Sequence, residues 1–358
     1  MAEQGLIARA SPGERENYLS ELRFAAEAAE HAAGGTLRRD LRVAGLTISV
    51  RAAGEGMLEA LTGAFAHALV DPDPDAPPDL VVRAWDRAAT GVTLPPPSWG
   101  SDDLRGAGAA RAFSTDGLHV LFQEFSNTVS VLARDGGEGM FWCADAAELP
   151  FYERAAPLCK LLHLWLSERG LQLAHAAAVA GPSGCALIAG PAGAGKSSAA
   201  LACLGAPGLG HLADDYCVVE RRSDGIVIHP LFSSVKATDA TVERLRIDPA
   251  TIDNPVRLQT DKALIFLGVH RPDDLAGAAP LRAIVVPEIT GEPVSRLRPV
   301  YGGAALAALA PSTMLQLPGT DAATMGALAA AARSVPCHRL EAGTDPAGVA
   351  PLLSELLA

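Results

Sequence analysis

Basic residues are few in this chain, and they do not cluster. Of its 358 residues, 29 are lysine or arginine and 41 are aspartate or glutamate, which gives a formal net charge of −12 at pH 7. No block of consecutive basic residues interrupts this acidic balance. Because a nucleic-acid backbone requires clustered Lys and Arg, the composition argues against nucleic acid as the main partner.

Long apolar runs and paired cysteine motifs are also missing. No apolar run is long enough to cross a bilayer, so we expect no membrane partner. The first 22 residues carry several acids and no apolar core of the secretory type. The six cysteines lack C-x-x-C spacing, so we assign them no metal site. These absences predict a cytoplasmic protein with reduced, buried thiols, and they leave open whether it is a homo-oligomer.

Lysine is rare, and one lysine lies in a recognisable pattern. The four lysines are Lys160, Lys196, Lys236 and Lys262. The sequence GPAGAGKS at Gly190–Ser197 fits G-x-x-x-x-G-K-[ST]. The apolar run 185–189 before it is typical of a buried strand, and residues 197–204 favour a helix that ends at Gly205. A strand, a glycine loop and a helix in this order predict a phosphate-binding P-loop.

The residues that we expect to contact a nucleoside triphosphate belong to this loop and to the start of its helix. Backbone N–H groups would wrap the phosphates, and Lys196 would bridge the β- and γ-phosphate oxygens. The Ser197 hydroxyl would bind Mg²⁺. The predicted nucleotide-binding residues are Gly190, Gly193, Ala194, Gly195, Lys196, Ser197 and Ser198.

A P-loop magnesium ion also needs a carboxylate, and the adjacent pair Asp214 and Asp215 is the candidate. The pair lies within residues 211–220, which have the pattern of a strand. Neighbouring residues of a strand point to opposite faces, so one acid would hold magnesium with Ser197 and the other would face the acceptor. Strand geometry alone does not choose between them. The alternative is that one acid is merely exposed at the sheet edge.

The sequence predicts two domains, a small α+β domain followed by an α/β domain. Residues 1–148 form a small α+β domain of unassigned role, and residues 149–358 form a P-loop catalytic domain. The boundary lies at the start of a helix predicted over 148–168. Other predicted helices cover 15–33 and 57–69, and predicted strands cover 41–50, 79–85, 118–122, 128–133 and 171–179. The isolated histidines His31, His67 and His119 are expected to be surface or packing residues.

Residues 173–220 resemble the catalytic core of the HPr kinase/phosphorylase superfamily. A histidine strand with His175, the loop Gly190–Ser197 and the stretch Gly210–Asp215 follow one another as in that family. The resemblance covers roughly residues 150–358 and implies a P-loop kinase domain of the HPr kinase/phosphoenolpyruvate carboxykinase type. It implies ATP and Mg²⁺ as ligands, Asp214, Lys196 and His175 as catalytic residues, and Ser197 with Asp215 as magnesium ligands.

Residues 229–245 differ from the motif with which that family docks HPr, so we expect another acceptor. The chain looks more like divergent HPr-kinase-like proteins, some of which phosphorylate a serine of a peptide precursor in lasso-peptide clusters. The expected function is transfer of the γ-phosphate of ATP to a Ser/Thr hydroxyl of a protein or peptide. A small-molecule hydroxyl kinase and a non-catalytic nucleotide-sensing regulator stay open as alternatives. Candidate phosphate or acceptor contacts are Lys236, Arg257, Lys262 and Arg282.

Overall fold

The chain divides into two compact units. The computed structural model describes residues 12–97, 110–115, 117–133 and 137–358. The first unit comprises the described residues of 1–63 and 68–165, and the second comprises 64–67 and 166–358. The boundary predicted between residues 148 and 149 therefore falls inside the first unit. The sequence predicted that the first 22 residues are not a secretory signal, and residues 1–11 of that stretch lie outside the described residues. Within the described ranges, no helix has both the length and the apolar character needed to cross a membrane.

The first unit is built on one mixed sheet. Its helices are α1 (Pro12–Ala32), α2 (Glu55–Thr62), α3 (Arg87–Thr90) and α4 (Phe151–Ala155), and α5 (Cys159–Ser167) runs across the division between the units. Its strands are β1 (Leu37–Val43), β2 (Leu46–Ala52), β3 (Leu69–Val70), β4 (Leu80–Asp86), β5 (Ala110–Thr115), β6 (Leu118–Gln123), β7 (Thr128–Ala133) and β8 (Glu138–Cys143). The strand order is β3-β1-β2-β4-β8-β7-β6-β5.

One apolar face of α1 packs on this sheet. Tyr18, Leu22 and Ala26 on the helix share a buried cluster with Trp85 of β4 and Val131 of β7. Because Tyr18, Leu22 and Ala26 are four residues apart, their side chains lie on one side of α1. Packing of this side on the sheet stabilises the helix although the segment is rich in alanine and charged residues.

Three predicted elements of this part of the chain are interrupted. The strand predicted over 41–50 is a hairpin of β1 and β2, because Ala44 and Gly45 have φ values of 48° and 82° and form a left-handed two-residue turn. The helix predicted over 57–69 ends at Thr62 and continues as a 3-10 helix. The helix predicted over 148–168 is two helices, α4 and α5, and Leu158 between them has a φ of 59°.

The second unit contains the predicted P-loop. Its helices are α6 (Lys196–Leu201), α7 (Asp239–Leu245), α8 (Leu267–His270), α9 (Gly302–Gln316), α10 (Ala322–Ser334) and α11 (Val349–Leu356). Its strands are β9 (Gln172–His175), β10 (Ala177–Gly181), β11 (Gly184–Ile188), β12 (Gly210–Ala213), β13 (Tyr216–Arg222), β14 (Gly225–Pro230), β15 (Ser234–Ala237), β16 (Ala263–Phe266), β17 (Ala279–Ile289), β18 (Arg296–Val300) and β19 (Cys337–Ala342).

Helices cover both faces of the main sheet of this unit, which gives a mixed α/β fold of three layers. The strand order is β12-β10-β11-β17-β14-β13-β9, with β19 joined to β17 and β18 joined to β19, while β15 and β16 pair separately. Cys185 and Leu187 of β11 face α9 and α10, whereas Ala186 and Ile188 face α6 and α11. The six cysteines are free thiols, and all are buried except the half-buried Cys159, as predicted.

Two segments predicted as single strands change partners midway. β10 pairs with β12, whereas β9 pairs with β13. The break between β9 and β10 is Ala176, and the break between β12 and β13 is the pair Asp214 and Asp215. The two aspartates therefore lie in a bend and not within a strand, so the alternation rule that assigned them to opposite faces does not apply.

Candidate functional site

The predicted P-loop connects β11 to α6 in the second unit. Gly193 and Gly195 have φ values of 81° and 98°, a region that residues with a Cβ rarely adopt. A Cβ at Gly190 would also lie 3.0 Å from the Cβ of Ala194. These conformations explain why the motif has glycine at these positions, and glycine turns of this kind are typical of loops that bind anions through main-chain N–H groups.

The side chain of Lys196 folds back into this loop. Its Nζ donates to the carbonyl oxygens of Gly190 and Pro191, at 2.9 and 3.2 Å. Burial lowers the pKa of Lys196, and the nearby Asp215 and Asp214 oppose that effect. A buried ammonium group that is bonded only to neutral carbonyls can exchange them for a phosphate oxygen at a gain in electrostatic energy.

Asp214 is almost completely enclosed. Its Oδ2 accepts a hydrogen bond from the backbone N–H of Lys236 at 3.1 Å, while its Oδ1 has no partner and no solvent contact. Burial and the charge of Asp215 raise the pKa of Asp214, interactions with the Ser197 hydroxyl and the Lys236 N–H act against the rise, and the pKa that results is about 6. The sequence-based hypothesis joined Ser197 to Asp215, but the structure brings Ser197 to Asp214.

Asp215 has charged neighbours instead. Nζ of Lys236 contacts its Oδ2, and Nε2 of His175 lies 3.7 Å from its Oδ1. Burial alone would raise the pKa of Asp215, but Lys236 and His175 outweigh that effect and hold it well below its usual range. The β9–β13 register, which pairs His175 with Tyr216, explains why the histidine lies beside the aspartate.

His175 is fixed by a helix that sequence reasoning did not include in the site. Its backbone N–H donates to Thr313 Oγ1 of α9 at 3.0 Å, and its Nδ1 lies 3.5 Å from Nε2 of Gln316. Tyr216 donates its hydroxyl to Oε1 of Gln316 at 2.8 Å. Thr313 and Gln316 follow His175 by more than 130 residues and belong to no motif, so no local signal pointed to them.

Three of the four lysines of the chain converge on the loop. β15 and β16 pair so that Ala237 is opposite Ala263, which brings Lys236 and Lys262 to the same end of this two-stranded sheet. Both ammonium groups lower the pKa of Lys196, so both lie within electrostatic range of it. The fourth, Lys160, bonds to Gln123 in the first unit. The site therefore combines three cations with two adjacent carboxylates.

Three other predicted contacts have partners elsewhere. Arg282 donates to the carbonyl oxygen of Ser183 at 2.6 Å, at the end of β11 that lies away from the loop, so it is not part of the site. Arg257 forms an ion pair with Asp239. The Ser198 hydroxyl lies 3.2 Å from that of Thr241 on α7, so it faces this helix rather than the interior of the loop.

Comparisons with known proteins give a weak structural likeness. No protein-family model matches the chain, and no curated protein matches it. Among solved structures, the chain is similar to the HPr(Ser) kinase/phosphatase from Coxiella burnetii, with 13% sequence identity and a TM-score of 0.29. The match covers 51% of this chain and 95% of that one. At this level of similarity, the function has to be argued from the site itself.

Proposed function

We propose that this chain is an ATP-dependent kinase that transfers the γ-phosphoryl group to a hydroxyl of an acceptor. The observation that carries the proposal is the convergence of Lys196, Lys236 and Lys262 on a glycine loop beside Asp214 and Asp215. Clustered cations suit the charge of a triphosphate and of the transition state, and a carboxylate pair suits a magnesium ion and a hydroxyl proton.

The residues present fit a magnesium ion that is held jointly with the nucleotide. The buried Oδ1 of Asp214 has no partner, which is costly for a carboxylate unless a cation binds it. The Ser197 hydroxyl lies next to the same carboxylate. Within the described ranges, no group of three or more His, Cys, Asp or Glu side chains is suited to hold a metal. The remaining ligands would therefore be phosphate oxygens and water, as is usual for Mg²⁺.

When bound, magnesium would offset phosphate charge, and the other steps belong to the chain's own residues. Lys196 would release the carbonyls of Gly190 and Pro191 and bind the β- and γ-phosphate oxygens. Lys262 would add positive charge near that position. Because the backbone positions of these cations are set by the loop and by the β15–β16 pair, their charges would already lie near the phosphates when the reaction begins.

The geometry favours Asp215 as the group that meets the acceptor hydroxyl. Its side chain is 21% exposed, whereas Asp214 is only 1% exposed. A hydroxyl carried on a peptide would therefore meet Asp215 before Asp214. Lys236 keeps Asp215 ionised, so it can accept a hydrogen bond from the hydroxyl and orient it. Because its lowered pKa makes it a weak base, it would take the proton only as the new O–P bond forms and acidifies the hydroxyl. His175, on the other side of Asp215, would orient the carboxylate. These roles are the reverse of those proposed from the sequence.

Exposed apolar side chains near the site favour a peptide or protein acceptor over a small molecule. Ile289 is 63% exposed and lies next to Gly195 of the loop. Leu315, which precedes Gln316, is 83% exposed, and Val256 and Leu258 in the segment leading to Lys262 are 96% and 70% exposed. Exposed apolar side chains beside the loop and in the chain segments of Gln316 and Lys262 suit contacts with an extended peptide that carries a Ser or Thr better than they suit a closed pocket for a small molecule.

The test is phosphate transfer from γ-labelled ATP by the purified full-length chain. Mixtures of Ser-, Thr- and Tyr-containing peptides and a panel of small polyols would serve as acceptors, with Lys196→Ala as the matched inactive control. We expect magnesium-dependent labelling of Ser or Thr peptides by the wild-type chain only. Labelling of polyols alone would select the small-molecule kinase. Tight Mg-ATP binding without any transfer would select the nucleotide-sensing regulator.

A further inference from the structure

A cavity lies in the second unit of the chain, at the far end of α6. Its volume is about 530 Å³, within the range of about 300–1,000 Å³ typical of small-molecule sites. Its walls are mostly apolar and are formed by Leu201, Leu204, Leu245, Ile247, Ile265 and Leu267. Leu201, Ile265 and Leu267 belong to a buried cluster of their own, so the cavity opens directly onto packed apolar side chains. The proposed kinase reaction does not use this cavity.

Three arginines line the cavity. Arg244, Arg246 and Arg271 line it together with one acid, Asp248. Arg271 is paired with Asp274 at 2.5 Å, and Asp248 accepts a hydrogen bond from the backbone N–H of Ala250 within its own turn. Neither Arg244 nor Arg246 has an ion-pair partner among the described residues. The lining thus combines apolar side chains with two guanidinium groups that have no ion-pair partner in the described part of the chain, and basic residues outnumber its single acid. This combination is complementary to a molecule with an anionic head and an apolar body.

We propose that this cavity binds a small amphipathic anion, a carboxylate or phosphate carried on an apolar chain or ring. The head would lie between Arg244 and Arg246, which offer the planar fork that matches both kinds of oxyanion. The apolar body would cover Leu204, Leu245 and Ile247, which are only partly buried in the protein. Carboxylate and phosphate ligands of this kind share an oxyanion on an apolar body, and they differ only in the head group.

The walls of the cavity also connect it to the nucleotide site. α6 begins at Lys196 and reaches the cavity at Leu201. α7 follows Lys236 of β15, contacts Ser198 through Thr241, and reaches the cavity at its other end. β16 begins directly after Lys262 and ends in the cavity wall. A ligand that bridges the far ends of these elements would hold their near ends in place, so we infer that its binding tightens the binding of Mg-ATP.

The binding experiment uses the full-length chain and three probes of equal chain length. Decanoate and decyl phosphate, both below their micelle concentrations, are titrated by calorimetry against decanol as the neutral control. We expect the anions to bind at least about tenfold more tightly than decanol, since a charge-assisted contact to arginine is lost with the head group. The tighter of the two anions identifies the head group. Equal affinity for all three probes, or no binding of either anion, overturns the proposal.

Variants locate the binding. Arg244→Ala with Arg246→Ala should weaken the anions at least about tenfold and leave decanol unchanged. Ala347→Trp, at an exposed residue of the lining, should block the cavity without changing charge. Arg298→Ala, an exposed arginine on β18 paired with Glu341, is the matched control and should bind like wild type. Unchanged binding in both cavity variants, with native circular dichroism, overturns the assignment.

Only the coupling depends on the proposed function. Saturation with the tighter anion should strengthen Mg-ATP binding by about 5- to 150-fold, and Mg-ATP should strengthen anion binding by the same factor, because the coupling is reciprocal. If the anion binds and Mg-ATP does not, the proposed kinase function fails while the second site stands. If both bind and neither affects the other, the site stands and the inferred coupling is wrong.

Discussion

Lys236 touches both aspartates of the candidate site. Its ammonium group forms an ion pair with Asp215, and its backbone N–H donates to Asp214 Oδ2 at 3.1 Å. The pairing of β15 with β16 holds it there. This one residue therefore keeps the more exposed carboxylate ionised and the buried carboxylate in position, and its removal should have a specific effect on the pH dependence of the reaction.

Lys236→Met should move the acidic limb of the pH profile. Lys236 lowers the pKa of Asp215, and its charge also lowers the pKa of Asp214. Its loss therefore raises both, and the pair becomes protonated at a higher pH than in the wild type. We expect the acidic limb of kcat/KM to move upward by about one to three pH units, the usual effect of an opposite charge at this distance. Lys160→Met, which removes a lysine in the first unit, is the matched control. Superimposable profiles for wild type and Lys236→Met would refute the role of this ion pair.

Lys196→Ala should abolish detectable turnover. The substitution removes the cation that the loop encloses, and with it the charge that would face the transferring phosphoryl group. Loss of one such electrostatic contact lowers kcat by about 10²–10³, and the weak binding that remains would lower the measured rate further. Steady-state ADP release and a circular dichroism spectrum check the rate and the fold. If the variant is folded and transfers phosphate at the wild-type rate, the loop is not part of the catalytic site.

Asp214→Asn should stabilise the chain at neutral pH when no magnesium or nucleotide is present. The pKa of Asp214 is raised to about 6 in the folded protein, so the folded state binds its proton more tightly than the unfolded state. Its contribution to stability is present at acidic pH and is lost as the pH rises from about 4 through about 6. At pH 7 the amide should be more stable by on the order of 1–3 kcal/mol.

Urea unfolding of both proteins between pH 4 and pH 8 measures this difference. The free energies of unfolding should be closest at pH 4 and should separate as the pH rises. Added Mg-ATP should reverse the order, because it stabilises only the protein that binds it. A difference that does not depend on pH would mean that the Asp214 carboxyl group is not held in a costly buried state.

The sequence predicted the local geometry of the glycine loop, for a physical reason. The predicted P-loop is a contiguous stretch, and Gly193 and Gly195 in it have positive φ values that residues with a Cβ rarely adopt. The flanking strand and helix are also encoded locally, by an apolar run and by helix-forming residues. The prediction of free, buried cysteines also needed no long-range information, because it depended on the cysteine spacing and on the tendency of cysteine to be buried.

The parts that the sequence missed depend on pairing between distant segments. Nothing local indicates that the chain leaves one strand partner for another at Asp214 and Asp215, and a continuous apolar pattern across the bend favoured one strand. The approach of Lys236 and Lys262 follows from the pairing of β15 with β16, and the contact of Gln316 with His175 follows from the packing of α9. A single sequence contains no separate signal for these contacts.

Replacing each aspartate by asparagine should affect a different step, either Mg-ATP binding or phosphate transfer. Asp214→Asn removes the charge beside Ser197, so we expect it to weaken Mg-ATP binding and to reduce the effect of magnesium on nucleotide affinity. Asp215→Asn leaves that charge in place and removes the proton acceptor, so we expect near-normal Mg-ATP affinity and a decrease in transfer of about 10²–10⁴. Calorimetry with and without EDTA, together with single-turnover transfer rates, measures both effects.

The reverse pattern would return the roles to those favoured by the sequence, with Asp214 as the base and Asp215 as the magnesium ligand. The discrimination does not depend on strand faces, since both residues lie in a bend, but on their surroundings. Asp214 is enclosed with an unpartnered oxygen beside Ser197, which only a cation would satisfy. Asp215 already has a cation in Lys236 and is the one that solvent reaches. If neither variant changes transfer, the bend is not the catalytic centre, and the loop would then serve binding alone.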